Sequence, residues 1–222
     1  MQTATPTRPY HHGDLRAGLV DAGVELARAE GPEALQLRAV TRAVGVSHNA
    51  AYRHFDDHQD LVNAVAERCM AELATLMRAG VATVRVRDRR RRAIAELAAI
   101  GRAYIDFAVA EPGWFRTAFA IRAAAEVEAA EVDAAKAAAA TSAEERGPYE
   151  LLIAALDRLV EVGALPSARR PGAEHAAWSA VHGMSMLLVE GPLRDLPPGE
   201  RDDAITAVLD VVQRGLTGAD SG

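Results

Sequence analysis

Apolar residues recur along nearly the whole chain at the three-to-four-residue spacing of an α-helix, and signals for strands are almost missing. There is no Asn-Gly or Asp-Gly hairpin dipeptide and no sustained alternation of β-branched residues. Leu15, Leu19, Ala22 and Leu26 define a first helix that Gly31 stops. A short run from Leu37 to Val44 is closed by Gly45, and another covers His48 to Phe55. A longer helix is predicted from Asp57, carrying Leu61, Val65, Cys69, Leu73 and Leu76 inward and fading near Gly80. Residues 89 to 110 form the next, broken by Pro112-Gly113, and an alanine-rich helix follows from 114 to about 140. Ser142 with Glu145 makes a capping box, and Pro148 suits the first position of a helix over 148 to 162. Helices over 172 to 190 and about 200 to 216 complete the chain, the last with Ile205, Val208, Leu209, Val212 and Leu216 on one stripe. The expected fold is all-α, with about nine helices and no internal repeat.

Composition narrows the classes of function. Half of the 222 residues are hydrophobic and a quarter charged, the balance of a globular chain long enough to bury a core without metal or disulfide staples. The single cysteine, Cys69, excludes an internal disulfide and fits a reducing compartment. On the apolar stripe of its helix it reads as an inert buried thiol, with a redox switch as the other reading. No stretch approaches the ~18 apolar residues of a membrane span, and Met1 to Pro9 lack the apolar core of a secretory signal. A cytoplasmic protein with a disordered tail over residues 1 to 9 is the expectation. The signatures of catalysis are missing: there is no GxSxG elbow, HExxH, P-loop or dinucleotide fingerprint. His11 and His12, adjacent on a tail, do not converge on one ion. Neither an enzyme nor a cofactor is expected.

Between Leu37 and Phe55 the pattern exceeds what packing requires. Gly45-Val46-Ser47 joins two short helices: glycine permits a positive-φ turn, Val46 fills the gap, and Ser47 can cap the second helix. His48, Asn49, Tyr52, Arg53 and His54 then crowd a segment too short to bury much by itself. This is the grammar of a helix-turn-helix, whose second helix enters the DNA major groove. A plain helical corner with a polar surface would share the same turn.

Residues 10 to 61, ending in VTRAVGVSHNAAYRHFDDHQDL, resemble the N-terminal domain of the TetR/AcrR family of bacterial transcriptional regulators. The order of parts matches: a first helix, a short second, the Gly-Val-Ser turn, a Tyr-x-His-Phe recognition helix, then a long connecting helix. The resemblance implies an all-helical homodimer that binds a palindromic operator and releases it when a small molecule enters the C-terminal domain. It implies that Arg38 reaches a base or phosphate and that His48, Asn49 and Ala50 read bases. By the same resemblance Tyr52 and His54 face phosphates. Ser47, Arg53 and His58 complete the candidate DNA-contact set, His58 standing where the family usually has a lysine. Val44, Val46, Ala51 and Phe55 read as packing, Ala51 replacing a larger apolar residue. The domains implied are a DNA-binding head over 1–60 and an effector-binding, dimerising body over 61–222. An α-helical protein-interaction module without specific DNA binding is the alternative.

Charge argues for that alternative. The chain carries −6, and residues 1 to 60 hold six arginines against eight acids, short of the basic footprint of a DNA reader. Five of the seven histidines lie in this segment, however, and protonation there would add charge beside the DNA backbone. Operator binding is therefore expected to weaken as pH rises from about 6 to 8. Residues 85 to 92, RVRDRRRR, hold six arginines against one aspartate, either a contact for an anion or a solvated linker.

The C-terminal stretch Trp178-Ser-Ala-Val-His182-Gly183 resembles the Trp/His-Gly signature of one TetR subgroup's regulatory domain. Residues 172 to 190 are apolar on nearly every side, so a neighbour or a partner chain must cover them. With the stripe from Ile205 to Leu216 they would form half of a four-helix bundle across a two-fold axis, or else a monomer core. Five of the ten aromatic residues fall within sixteen positions: Tyr104, Phe107, Trp114, Phe115 and Phe119. They read either as core or as the lining of a small-molecule site, to which Tyr104, Trp178 and His182 would lend polar handles. Such a lining implies an apolar or aromatic effector.

Overall fold

The computed structural model describes residues 15–120 and 146–218. Over those residues it consists of nine α-helices and two short 3-10 turns, with no strand. A small head contains α1 (Leu15–Glu30), α2 (Leu37–Val44) and α3 (His48–Ala51), and α4 (His58–Ala82) runs out of it. The body is built by α5 (Arg89–Ala110), α6 (Pro112–Ala120), α7 (Pro148–Glu161), α8 (Ala173–Val189) and α9 (Pro198–Thr217). The tail at 1–9, His11, His12, the alanine-rich helix beyond 120, the glutamates at 126–131 and the Ser142–Glu145 capping box lie outside the described residues.

Local chemistry sets the corners of the head. Gly45 sits at φ 78°, a left-handed conformation that glycine adopts without a side-chain clash, and its N–H closes α2 on the Thr41 carbonyl at 2.9 Å. Ser47 Oγ accepts from Ala50 N at 3.3 Å and caps α3. The segment expected to be helical over 48–55 is regular only through Ala51. After it, His54 N and Phe55 N both bond back to Ala51 O, at 2.9 and 3.1 Å, and this tight turn swings Phe55 into the core. Asp57 then caps α4, its Oδ1 accepting from Asp60 N at 2.8 Å. Leu19, Val24, Leu35, Val40, Ala51, Phe55, Leu61 and Val65 pack together as the head's core, with Val44 and Val46 partly buried against it.

α4 belongs to both halves. Leu61, Val65 and Cys69 enter the head core, whereas Leu73 and Met77 enter the body core. Leu76, expected inward, is 46% exposed, and Met77 takes its place. Steps of four residues advance an apolar stripe by about 40° each on a helix of 3.6 residues per turn, so the buried face has rotated past Leu76 by the end of α4.

The stripe of α9 serves the chain's own core, one of the two readings of its sequence. Ile205 and Leu216 are buried, and Val208, Leu209 and Val212 pack against the body's own cores beneath α5 and α8. It is spent within this chain because α5 needs a cover. What α8 and α9 leave outside are Met186, Leu187 and Val211, at 37, 42 and 61% exposure.

Head and body also meet where α6 crosses α1. Gly113 lies so close to α1 that a Cβ there would overlap the Ala27 and Arg28 carbonyls, a contact only glycine permits. Next to it, Trp114 Nε1 donates to the Val24 carbonyl at 2.8 Å. Arg28 places its guanidinium 4.8 Å over the Trp114 ring and donates to Glu111 through Nε at 2.7 Å and through Nη2. The Glu111 hydrogen bond and charge raise the Arg28 pKa above its ordinary value.

Candidate DNA-reading helix and ligand cavity

The glycine turn and the Ser47 cap hold α3 on the head's outer surface. Asn49, Tyr52, Arg53 and His54 are exposed, and His48 and Ala50 are half-buried. Tyr52 presents 51% of its surface and meets His48 edge-on, with ring centroids 4.9 Å apart. Nδ1 of His48 is shielded from solvent and has no hydrogen-bond partner, so the ring's Nε2 edge is the one that faces out. Arg38, in the first turn of α2, is exposed as well. Two members of the set have prior engagements. The Ser47 oxygen caps α3, and His58 Nε2 lies 2.7 Å from the Leu35 carbonyl, to which its N–H donates. Arg38, Asn49, Tyr52, Arg53 and His54 are thus exposed around a helix turn that Ala51 and Phe55 anchor from inside.

The arginine run connects α4 to α5. Asp88 caps α5 by accepting from Arg91 N at 2.8 Å, and Arg92 pairs with Glu96 at 2.8 Å, which offsets the unfavourable meeting of cations and a helix N-terminus. The 25-residue α4, about 37 Å long at 1.5 Å per residue, separates this run from α3. The run is therefore remote from α3.

In the body, α4, α5, α6, α7, α8 and α9 contribute to the wall of a cavity of about 180 Å³. Its wall is largely apolar, with Met70, Met77, Leu97, Ile100 and Leu152 among the lining residues. Of the seven candidate ligand residues, Tyr104, Phe119 and Trp178 line it. Trp178 Nε1 donates to the Tyr104 oxygen at 3.3 Å, and that hydroxyl lies 2.8 Å from His182 Nδ1, so His182 braces the phenol from behind the wall. Phe115 is buried 5.5 Å from the His182 ring and does not line the cavity. Phe107 and Trp114 do not line it either: they stack on each other at 6.4 Å, at the joint between head and body. Tyr149, Glu150 and Gln213 line the cavity and went unremarked in the sequence. They come from the start of α7 and the end of α9, and nothing local marks residues that only tertiary packing brings to one wall.

A short polar helix held outward after a glycine turn in the head and an apolar chamber in the body are what a ligand-responsive helix-turn-helix regulator requires. Comparison with known proteins agrees. Residues 19–65 match the profile of bacterial regulatory proteins of the tetR family, and residues 97–212 match that of the tetracyclin repressor-like C-terminal domain. No curated protein matches the chain. Among solved structures, a Rhodococcus protein of unknown function is 27% identical, with a TM-score of 0.72 over 95% of this chain and 100% of that one. A TetR-family transcriptional regulator from Pectobacterium atrosepticum shares the fold at 19% identity, TM-score 0.65, covering 93% of this chain and 95% of its own. Another from Marinobacter aquaeolei does so at 15% identity, TM-score 0.61, covering 90 and 94%. The chain belongs to the TetR family of transcriptional regulators. Members of that family bind operator DNA, dimerise and are generally not enzymes. Among the described residues no helix is long and apolar enough to cross a membrane.

Proposed function

We propose that the protein is a cytoplasmic repressor that holds a palindromic operator as a homodimer and releases it when a small apolar or aromatic molecule enters the body cavity. Its working parts divide near residue 60, into a DNA-binding head (1–60) and an effector-binding, dimerising body (61–222), with α4 shared. The observation that carries the reading is the outward display of Asn49, Tyr52, Arg53 and His54 on a capped turn whose apolar side is locked by Phe55. Asn49 and His48 present hydrogen-bonding edges for bases, with Ala50 small enough to let the helix approach. Tyr52, Arg53, His54 and Arg38 supply phosphate contacts, joined by the Ser47 hydroxyl and the outer nitrogen of His58. Two heads about 34 Å apart would meet successive major grooves. The outer faces of α8 and α9 support the pairing, because Met186, Leu187 and Val211 lie exposed there.

Release follows from the shared helices. Phe119, on α6, touches the cavity, and the same helix grips α1 through Gly113 and Trp114. α4 contributes Met70 and Met77 to the cavity wall and Leu61 to Cys69 to the head core. A ligand that favours one placement of α4 and α6 therefore favours one spacing of the heads, and only unequal affinity for the two spacings moves the equilibrium. A gel-shift titration against the DNA flanking the protein's own gene tests the proposal. Wild type should give a salt-sensitive, sequence-specific shift below micromolar, and Tyr52→Phe should weaken it with dimer and ligand binding intact. No specific shift would favour a protein-interaction module instead.

A further inference from the structure

Among the described residues the cavity wall carries a single charge. Glu150, in the first turn of α7, lines it, its Oε2 turned back beside Gly147 at the positive end of that helix, and no described cation pairs with it. Several other acids of the body are matched with arginine: Glu96 with Arg92, Glu174 with Arg170, and both Asp106 and Asp202 with Arg102. Beside Glu150 stands Tyr149, whose ring lies 5.5 Å from that of Trp178 at an interplanar angle of 57°, so the two rings form an aromatic corner. Gln213 adds a neutral amide. No lysine, arginine or histidine lines the wall among the described residues.

Resting on the reading of this cavity as the effector site, we propose that the effector is a lipophilic organic cation, an ammonium group on an apolar body. Glu150 supplies the counter-charge and the faces of Tyr149 and Trp178 supply quadrupole attraction, while Phe119 and the aliphatic wall take the body. The physical argument turns on what each ligand class does to Glu150. A neutral apolar ligand displaces water from the carboxylate and returns nothing, leaving the charge only the amide end of α7. An anion adds repulsion. A cation compensates the carboxylate and gains from the aromatic corner at the same time.

The test compares three probes of one shape at pH 7: 4-phenylbutylammonium, 4-phenylbutan-1-ol and 4-phenylbutanoate, titrated calorimetrically into the full chain. The ammonium should bind at least tenfold tighter than the alcohol, with the carboxylate weakest, and Glu150→Gln should abolish the ammonium's advantage by weakening the ammonium and tightening the alcohol. The inference is overturned if the alcohol or carboxylate binds wild type as tightly as the ammonium, if the ammonium does not bind, or if its advantage survives in Glu150→Gln. A filling variant, Ala98→Phe, with a thermal melt as its folding control, separates this inference from the cavity reading. If the three probes bind alike and Ala98→Phe blocks them, the cavity remains the ligand site and only the charge preference fails. If Ala98→Phe folds and leaves binding untouched, both fail.

Discussion

Replacing Trp114 by phenylalanine removes three contacts at the joint between α1 and α6, and their sum can be worked out. The indole N–H bond to the Val24 carbonyl is worth about 1 kcal/mol net, because Val24 lies inside α1 and its carbonyl keeps a helical partner. The Arg28 guanidinium over the ring adds roughly 0.5–1 kcal/mol, which the smaller phenyl ring retains only in part. Loss of the second ring leaves a gap against Phe107, worth about 1–2 kcal/mol if the site collapses incompletely. The total is about 2–4 kcal/mol, or a fall in melting temperature of roughly 5–15 °C for a chain of this size. Urea unfolding followed by circular dichroism measures it directly. A loss below about 0.5 kcal/mol would refute the view that this joint holds the head against the body. The same variant should transmit ligand binding less well, so that saturating effector weakens operator affinity by a smaller factor than in wild type.

Two other outcomes follow from the packing. Leu187→Arg places a charge on the exposed outer face of α8, and light scattering should report the mass of one chain where wild type gives two. A mass unchanged by the substitution would move the dimer interface elsewhere. Cys69 is fully buried, and burial, with a smaller push from Glu72, drives its thiol up to about 12 from an ordinary 9.0. It should therefore resist thiol reagents at pH 8 until the chain unfolds, the outcome that an inert thiol requires and a redox switch does not. The folded state holds this proton more tightly than the unfolded one, so the resulting stability is complete below pH 9 and is lost as pH rises toward 12. Rapid labelling of the native chain at pH 8 would contradict both statements.

Local rules made the head legible. A glycine that must be left-handed, a serine that caps and a valine in the gap are neighbours in sequence, and Gly45, Ser47 and Val46 occupy those places. The same rules found the limits of α5 and α7 to within a residue or so, since Pro112-Gly113 and Pro148 are local stop and start signals. Long-range packing was not legible in this way. The aromatic cluster from Tyr104 to Phe119 divides between a cavity wall, a core and an interdomain joint, because consecutive turns of α5 and α6 face different neighbours. Glu150 and Gln213 are unremarkable in their own segments and acquire meaning only from the helices opposite. The α9 stripe shows the same limit: periodicity says that a face is covered, and only the fold says by what.

The most direct measurement selects binding sites from fragmented genomic DNA with wild type and with Asn49→Ala, and compares the two preferred sequences. An outward-facing α3 in a paired molecule predicts an inverted repeat whose half-sites lie about one helical turn apart, with preference relaxed in Asn49→Ala at one symmetric pair of positions. Identical preferences in both proteins, or selection of no repeat at all, would contradict it.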